Sequence, residues 1–260
     1  MKYFIIIFVL LSHCLYTNAQ TDMDIFVLMG QSNMAGRGSL DEQKLNLDSV
    51  YMLDKNGHWI PASEPIHFDK SVAGAGLAAS FALEVRQSGR KIGLVPCAVG
   101  GSPIESWMPN VVDKATGYTI YDDAVGRIKI ALRSGDLKGI LWHQGESNSS
   151  KGSYRTYEDN FEKLLTNLER DLSINIDTIP LITGELGHFF ITKEPIKDNE
   201  GLIINSIQHH LAQKKTNRYC VSAAGLNHKG DETHFDTPSL RELGKRFADG
   251  YKTVRRKMKE

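Results

Sequence analysis

The sequence predicts one α/β domain in which parallel strands are covered by helices on both faces. Three observations lead there. Apolar runs of strand length alternate with helical patterns along almost the whole chain. The 260 residues are 41% hydrophobic, with 31 acidic and 31 basic side chains, as in an ordinary globular protein long enough to bury a full core. No repeat, low-complexity tract or Pro/Gly-rich linker divides residues 20–260, so they read as a single domain.

Six strands are expected, over Ile25 to Met29, Val50 to Leu53, Ile92 to Val99, Gly139 to His143, Ile179 to Thr183 and Tyr219 to Ala224. Each is a short apolar run bounded by turn residues, and near-continuous hydrophobicity marks strands buried on both faces of a parallel sheet. Helical periodicity falls between them, over Gly76 to Gln87, Asp122 to Arg133, Tyr154 to Leu172 and Gly201 to Lys214. A last helix is expected over Pro238 to Val254, with Thr237 as its cap and Pro238 at its first position. Arg255-Arg256-Lys257 then reads as a solvated helix end.

Lys2, the apolar run Tyr3 to Leu11 and the small residues up to Ala19 have the order of a secretory signal peptide, so residues 1–19 are expected to be cleaved after Ala19 and the protein exported. The apolar stretch is about half the ~20 residues a spanning helix needs, which argues against a membrane span. Anchoring through Cys14 is disfavoured because His13 is larger than the small residue lipoprotein processing requires. A net charge of zero gives no electrostatic footprint for nucleic acid. Without a CxxC or a Cys/His ladder, no metal and no cofactor are expected. The spacing of Cys97 and Cys220 leaves their pairing open, and nothing specifies an oligomeric state.

In open parallel sheets ligands bind beyond the carboxyl ends of the strands. Three strands end there in polar, glycine-rich segments: "GQSNMAG", "AVGGSPIESW" and "WHQGESN". Ser32 stands at a strand-to-turn exit, but a serine hydroxyl needs a base to become a nucleophile. In "GDETHFDTP", Asp231 precedes His234 by three residues, so the carboxylate can fix the imidazole tautomer while the far nitrogen takes the serine proton. Gln144 and Asn148 offer neutral N–H donors for an oxyanion, and Gly100-Gly101 can present backbone N–H groups. Gln31, Asn33, His143 and Glu146 are candidates to touch substrate, while Trp107 either packs its loop or offers an apolar wall to a sugar. Together these parts meet the requirements of acyl transfer.

The order of Gly30-Gln31-Ser32-Asn33-Met34, Gly100-Gly101, Trp142 to Asn148 and Asp231 to Phe235 resembles the sialate O-acetylesterase-like branch of the SGNH hydrolases, which includes the acetylxylan esterases of carbohydrate esterase family six. The resemblance spans Ile25 to the last helix. It implies a three-layer α/β/α sandwich of flavodoxin-like type and hydrolysis of acetyl esters on sugars, with acetylated xylan, another polysaccharide or O-acetyl sialic acid as substrate. It further implies Ser32 as nucleophile, His234 as proton relay and Asp231 as orienting acid, with Glu146 competing for the last role. The implied oxyanion donors are the N–H of Ser32, that of Gly100 or Gly101, and the Gln144 side chain, with Asn148 as the alternative. Two rival readings are a non-catalytic carbohydrate-binding protein on this fold and a broader SGNH lipase or thioesterase.

The segment "VAGAGLAASF" carries Gly-x-Gly-x-x-Ala but follows the polar "PIHFDKS" rather than a strand, so it reads as a helix start, not a dinucleotide site. His209 and His210, adjacent on a helix, point about 100° apart and cannot share a metal from one face. His188, just after a strand, is a further cleft candidate, and the loops Asp54 to Lys70 and Glu185 to Asn199 are expected to wall the substrate.

Overall fold

A computed structural model describes residues 23–40, 45–193 and 199–260. The expected signal segment, Cys14 included, lies outside them. Seven strands form one sheet: β1 (Met23–Gly30), β2 (Val50–Leu53), β3 (Trp59–Pro61), β4 (Lys91–Pro96), β5 (Asp136–His143), β6 (Leu181–Gly184) and β7 (Arg218–Val221). Their spatial order is β3-β2-β4-β1-β5-β6-β7, parallel throughout except for β3, which runs antiparallel to β2. The α/β class and mostly parallel sheet are therefore as the sequence indicates. β3 is the addition. Its Pro61 and partly exposed burial pattern hid it, and both are tolerated because it is an edge strand.

β1 is central and all eight of its residues are buried. Alternate side chains feed two cores. Ile25, Val27 and Met29 join Trp107, Trp142 and Phe161, whereas Phe26 and Leu28 join Phe81 and Phe247. The first core is covered by α3 (Ile120–Ala131), α4 (Tyr157–Leu172) and α6 (Glu200–Gln213). The second is covered by α2 (Leu77–Val85) and α7 (Thr237–Lys257), giving the three layers. Edge-on aromatic pairs brace both, Trp107–Trp142 at 5.3 Å and Phe26–Phe81 at 5.0 Å between ring centroids.

Two short helices, α1 (Ser32–Ala35) and α5 (His188–Ile191), sit at the carboxyl edge of the sheet. Around β1 the chain passes first to one side of the sheet and later to the other, so the ends of β4, β1 and β5 form a topological switch point. Backbone pairing continues past it: Val99 N donates to Gly30 O at 3.0 Å and Gln31 N to His143 O at 2.9 Å.

The cap of α7 differs from expectation. Asp236, not Thr237, accepts from the Ser239 N–H at 2.9 Å, and the Thr237 hydroxyl instead donates to Ser39 O. Cys97 and Cys220 are unpaired and buried, and burial pushes both thiols up to about 12.

His67 lies at the switch-point edge and is only 2% exposed. Burial, set against the nearby Asp69 charge, lowers its imidazole from the ordinary 6.5 to about 4. The unfolded chain therefore binds a proton that the folded chain refuses, and stability falls as the pH drops below 6.5 towards about 4. The expected loss from this group is about 2 kcal/mol at pH 5. Denaturant melts at pH 7 and pH 5 on the native protein and on His67→Gln check it. The variant should lose correspondingly less between the two pH values, and equal losses would refute the assignment.

Candidate active site

Gly30 ends β1 with φ +130°, and a Cβ there would lie inside van der Waals contact with the His143 carbonyl. Only glycine lets the chain leave β1 this sharply against β5. Gln31 follows in extended conformation, and its carbonyl accepts the N–H groups of Met34 and Ala35 at 3.0 Å each, closing the turn that presents Ser32.

The His234 ring bridges Ser32 and Asp231. Its Nε2 lies 3.0 Å from Ser32 Oγ and its Nδ1 2.7 Å from Asp231 Oδ2. The carboxylate can only accept, so Nδ1 carries the proton and Nε2 is free to accept from the serine hydroxyl. Partial burial opposes the Asp231 charge. Hydrogen bonds from the backbone N–H of His234, from its ring and from the Thr233 N–H outweigh it and hold the carboxyl well below the usual carboxylate range. These hydrogen bonds all favour the charged carboxylate, the form that accepts from the imidazole.

Asn33 fixes the loop that carries His234. Its amide donates to Thr233 O at 3.1 Å, while its carbonyl accepts from Phe235 N at 3.1 Å, one residue to each side of the histidine. The same amide donates to Glu146 Oε1 at 2.6 Å. Phe235 is fully buried against Phe189 and His143, which anchors the loop from below.

Among the donors the sequence suggests for an oxyanion, several are already committed. The two amide hydrogens of Gln144 face Gln31 Oε1 at 3.1 Å, Ser102 O at 3.2 Å and Asn148 Oδ1 at 2.7 Å, and the residue is fully buried. Asn148 is equally buried, donating to Glu105 Oε2 at 2.9 Å and accepting from Ile104 N at 2.9 Å. The Gly100 N–H donates to Asp69 Oδ2 at 2.8 Å, beside the buried Arg37–Asp69 ion pair. No hydrogen bond engages the Ser32 N–H, the Gly101 N–H or the Gln31 amide nitrogen among the described residues.

Gln31, Ser32, Gly100, Gly101, Glu146 and His234 border one cleft of about 420 Å³, with Val72 and Phe190 as its apolar wall. Arg37, Lys70, Ser147 and Thr233 also reach it. Phe190 comes from the Glu185-to-Asn199 loop that the sequence flags, whereas Arg37 carried no signal because its partner Asp69 is remote in sequence. A wider recess of about 600 Å³ along Arg86 to Lys91 lies at the opposite edge, where β4 begins, away from these groups.

Three residues expected to touch substrate do not reach the cleft. Trp107 is fully buried, edge-on to Trp142, with its indole N–H on Ser102 Oγ at 3.2 Å, so it packs the loop and offers no wall to a sugar. His143 is also fully buried and donates through Nε2 to Glu185 O at 3.0 Å, and burial lowers its basicity. Asn33 is 1% exposed and spends its amide on the loop. His188 turns to Glu185, which also holds His209, Ser222 and the Ala223 N–H.

A profile described as "Carbohydrate esterase, sialic acid-specific acetylesterase" matches residues 22–253. A probable carbohydrate esterase of Arabidopsis thaliana is 32% identical over 251 residues, covering 87% of this chain and 89% of the relative. The crystal structure of an Arabidopsis thaliana protein superposes with TM-score 0.75 at 29% identity, over 90% of this chain and 98% of that one. NanS (TM-score 0.69, 18% identity, 91% and 99% covered) and a carbohydrate acetylesterase from Xanthomonas citri (0.69, 20%, 89% and 56%) share the fold.

Proposed function

The chain belongs to the carbohydrate esterase family of sialic acid-specific acetylesterases, and from that membership we propose that it removes O-acetyl groups from sugars through an acyl-enzyme on Ser32. The observation that carries this is the unbroken chain from Ser32 Oγ through the His234 ring to Asp231, at 3.0 and 2.7 Å, opening on the cleft. Ser32 Oγ bonds to the acetyl carbon as its proton passes to His234 Nε2. The tetrahedral adduct collapses, the ester C–O bond breaks, and the sugar hydroxyl leaves with that proton. Water then repeats the sequence and releases acetate, and Asp231 steadies the imidazolium in both halves. Residues 1–19 serve as an export signal in this reading.

The developing oxyanion is held by the N–H groups of Ser32 and Gly101 and by the Gln31 amide. Gln31 is 4% exposed. Its Oε1 is fixed by Gln144 Nε2 at 3.1 Å and by the Ser147 N–H at 3.2 Å. A flipped amide would set donor against donor, so the NH₂ group is the half left for the cleft. Gln144 acts one step behind, as the residue that orients Gln31.

Acetate release from acetylated xylan, 9-O-acetyl sialic acid and a small aryl acetate tests the activity, and its absence from all three refutes it. On whichever acetate is cleaved, Gln31→Leu should lower kcat by about 10²- to 10³-fold with KM nearly constant, the signature of a lost transition-state donor. An unchanged kcat in Gln31→Leu would remove Gln31 from the oxyanion site.

A further inference from the structure

We infer that a second cavity beside the catalytic cleft binds the neighbouring sugar of the acetylated residue, so that the substrate is an oligosaccharide or polysaccharide rather than a free monosaccharide. This cavity holds about 440 Å³, the scale of a small-ligand site, and lies where the chain leaves β4 through Pro96 to Val99. It and the cleft share a wall: Asp69 and Val99 border the cavity, and their chain neighbours Lys70 and Gly100 border the cleft. The Asp69 carboxylate ties that wall together through Gly100 N at 2.8 Å and Arg37 Nη2 at 2.7 Å. Two linked sugars can therefore occupy adjoining recesses on either side of a rigid partition.

The lining has the composition a sugar needs. Among the described residues the exposed large apolar side chains include two aromatic ones, Phe68 at 44% and Tyr118 at 60%, and both border this cavity. Exposed rings cost solvation unless something apolar covers them, and the C–H faces of a pyranose do so. The ring of Phe68 is backed on one side by the Arg127 guanidinium, 4.6 Å from its centroid. Arg127 is itself locked by the carbonyls of Pro96 and Leu53 at 2.9 Å each, so Phe68 stands on a fixed support. Lys55 and Asp123, without ion-pair partners among the described residues, supply a donor and an acceptor for hydroxyls at the rim. This is a preorganised apolar face with a few polar groups, as small-molecule sites generally are.

The inference rests on the acetylesterase reading, and one set of assays separates the two. Values of kcat/KM are measured for a small aryl acetate, for acetylated xylose and mannose, and for the acetylated trisaccharides of the same sugars, on the native enzyme and on Tyr118→Ala. At least one trisaccharide should exceed its monosaccharide by about tenfold or more. The ratio of trisaccharide to aryl acetate should fall about three- to tenfold in Tyr118→Ala, the weight of one aromatic stack. Phe68→Leu should lower the same ratio. Aryl acetate turnover with no trisaccharide preferred, or a ratio unmoved in both variants, overturns the second site alone. Absence of any acetate release overturns both readings.

Discussion

Ser32→Ala, His234→Ala and the double variant should each lose the same amount of kcat, on the order of 10⁶-fold, when acetate release from a small aryl ester is followed. The equality is the informative part. Ser32 Oγ lies 3.0 Å from His234 Nε2, and in the proposed mechanism one proton passes between them in the first step. Without the base the hydroxyl is a poor nucleophile, and without the hydroxyl the base has nothing to activate, so the second deletion costs little more than the first. What remains in the proposed mechanism is the work of the Ser32 and Gly101 N–H groups and of Gln31, which would still lower the barrier for attack by water. If the double variant lost the product of the two single effects, Ser32 and His234 would be acting independently and the proton relay would be wrong. A Ser32→Ala enzyme with native kcat would remove the nucleophile altogether.

Much of the fold was legible because local pattern and global environment agree. β1 is apolar without alternation because both of its faces are buried, and the same holds for the inner residues of β4 and β5. The runs escaped a helix reading because they are short and flanked by turn residues. β3 was not legible: Trp59–Pro61 owes its strand state to pairing with β2, a tertiary effect with no periodic signature. The cap of α7 went to Asp236 rather than Thr237 by one position, where side-chain type alone ranks the two closely.

The site divides in the same way. Asp231 and His234 are three residues apart, so a turn brings them together and spacing suffices to suggest it. Ser32 joins them from a distant segment, but the sheet rule puts strand ends and the loop before α7 on one edge. Sequence could not assign the donors. It shows that Gln144, Asn148 and Gly100 own N–H groups, not that Gln31, Glu105 and Asp69 already accept them. The oxyanion donor proposed above, Gln31 in place of Gln144, rests on hydrogen-bond accounting across segments, which no local motif encodes.

Asp231→Asn and Glu146→Gln should separate by orders of magnitude, because only one of these acids faces the imidazole. Asp231 Oδ2 is 2.7 Å from His234 Nδ1, and an amide nitrogen placed there presents a hydrogen to Nδ1. The ring then protonates on Nε2, facing Ser32 with a hydrogen instead of a lone pair, and kcat should fall about 10⁴-fold, as for the same change in serine proteases. Glu146 instead holds Asn33, with Oε1 on its amide at 2.6 Å and its side chain 5% exposed. Its Oε2 and the His143 Nδ1 are both buried without a hydrogen-bond partner among the described residues. Glutamine keeps an oxygen for Asn33, so the clamp on the His234 loop persists and kcat should stay within about tenfold, by the modest worth of one neutral hydrogen bond. The pH profile sharpens the comparison. Asp231 is held well below the usual carboxylate range, so protonating it contributes nothing to the acid limb of kcat/KM in the native enzyme, and Glu146→Gln should leave that limb in place. A 10⁴-fold loss in Glu146→Gln with near-native activity in Asp231→Asn would exchange the two roles.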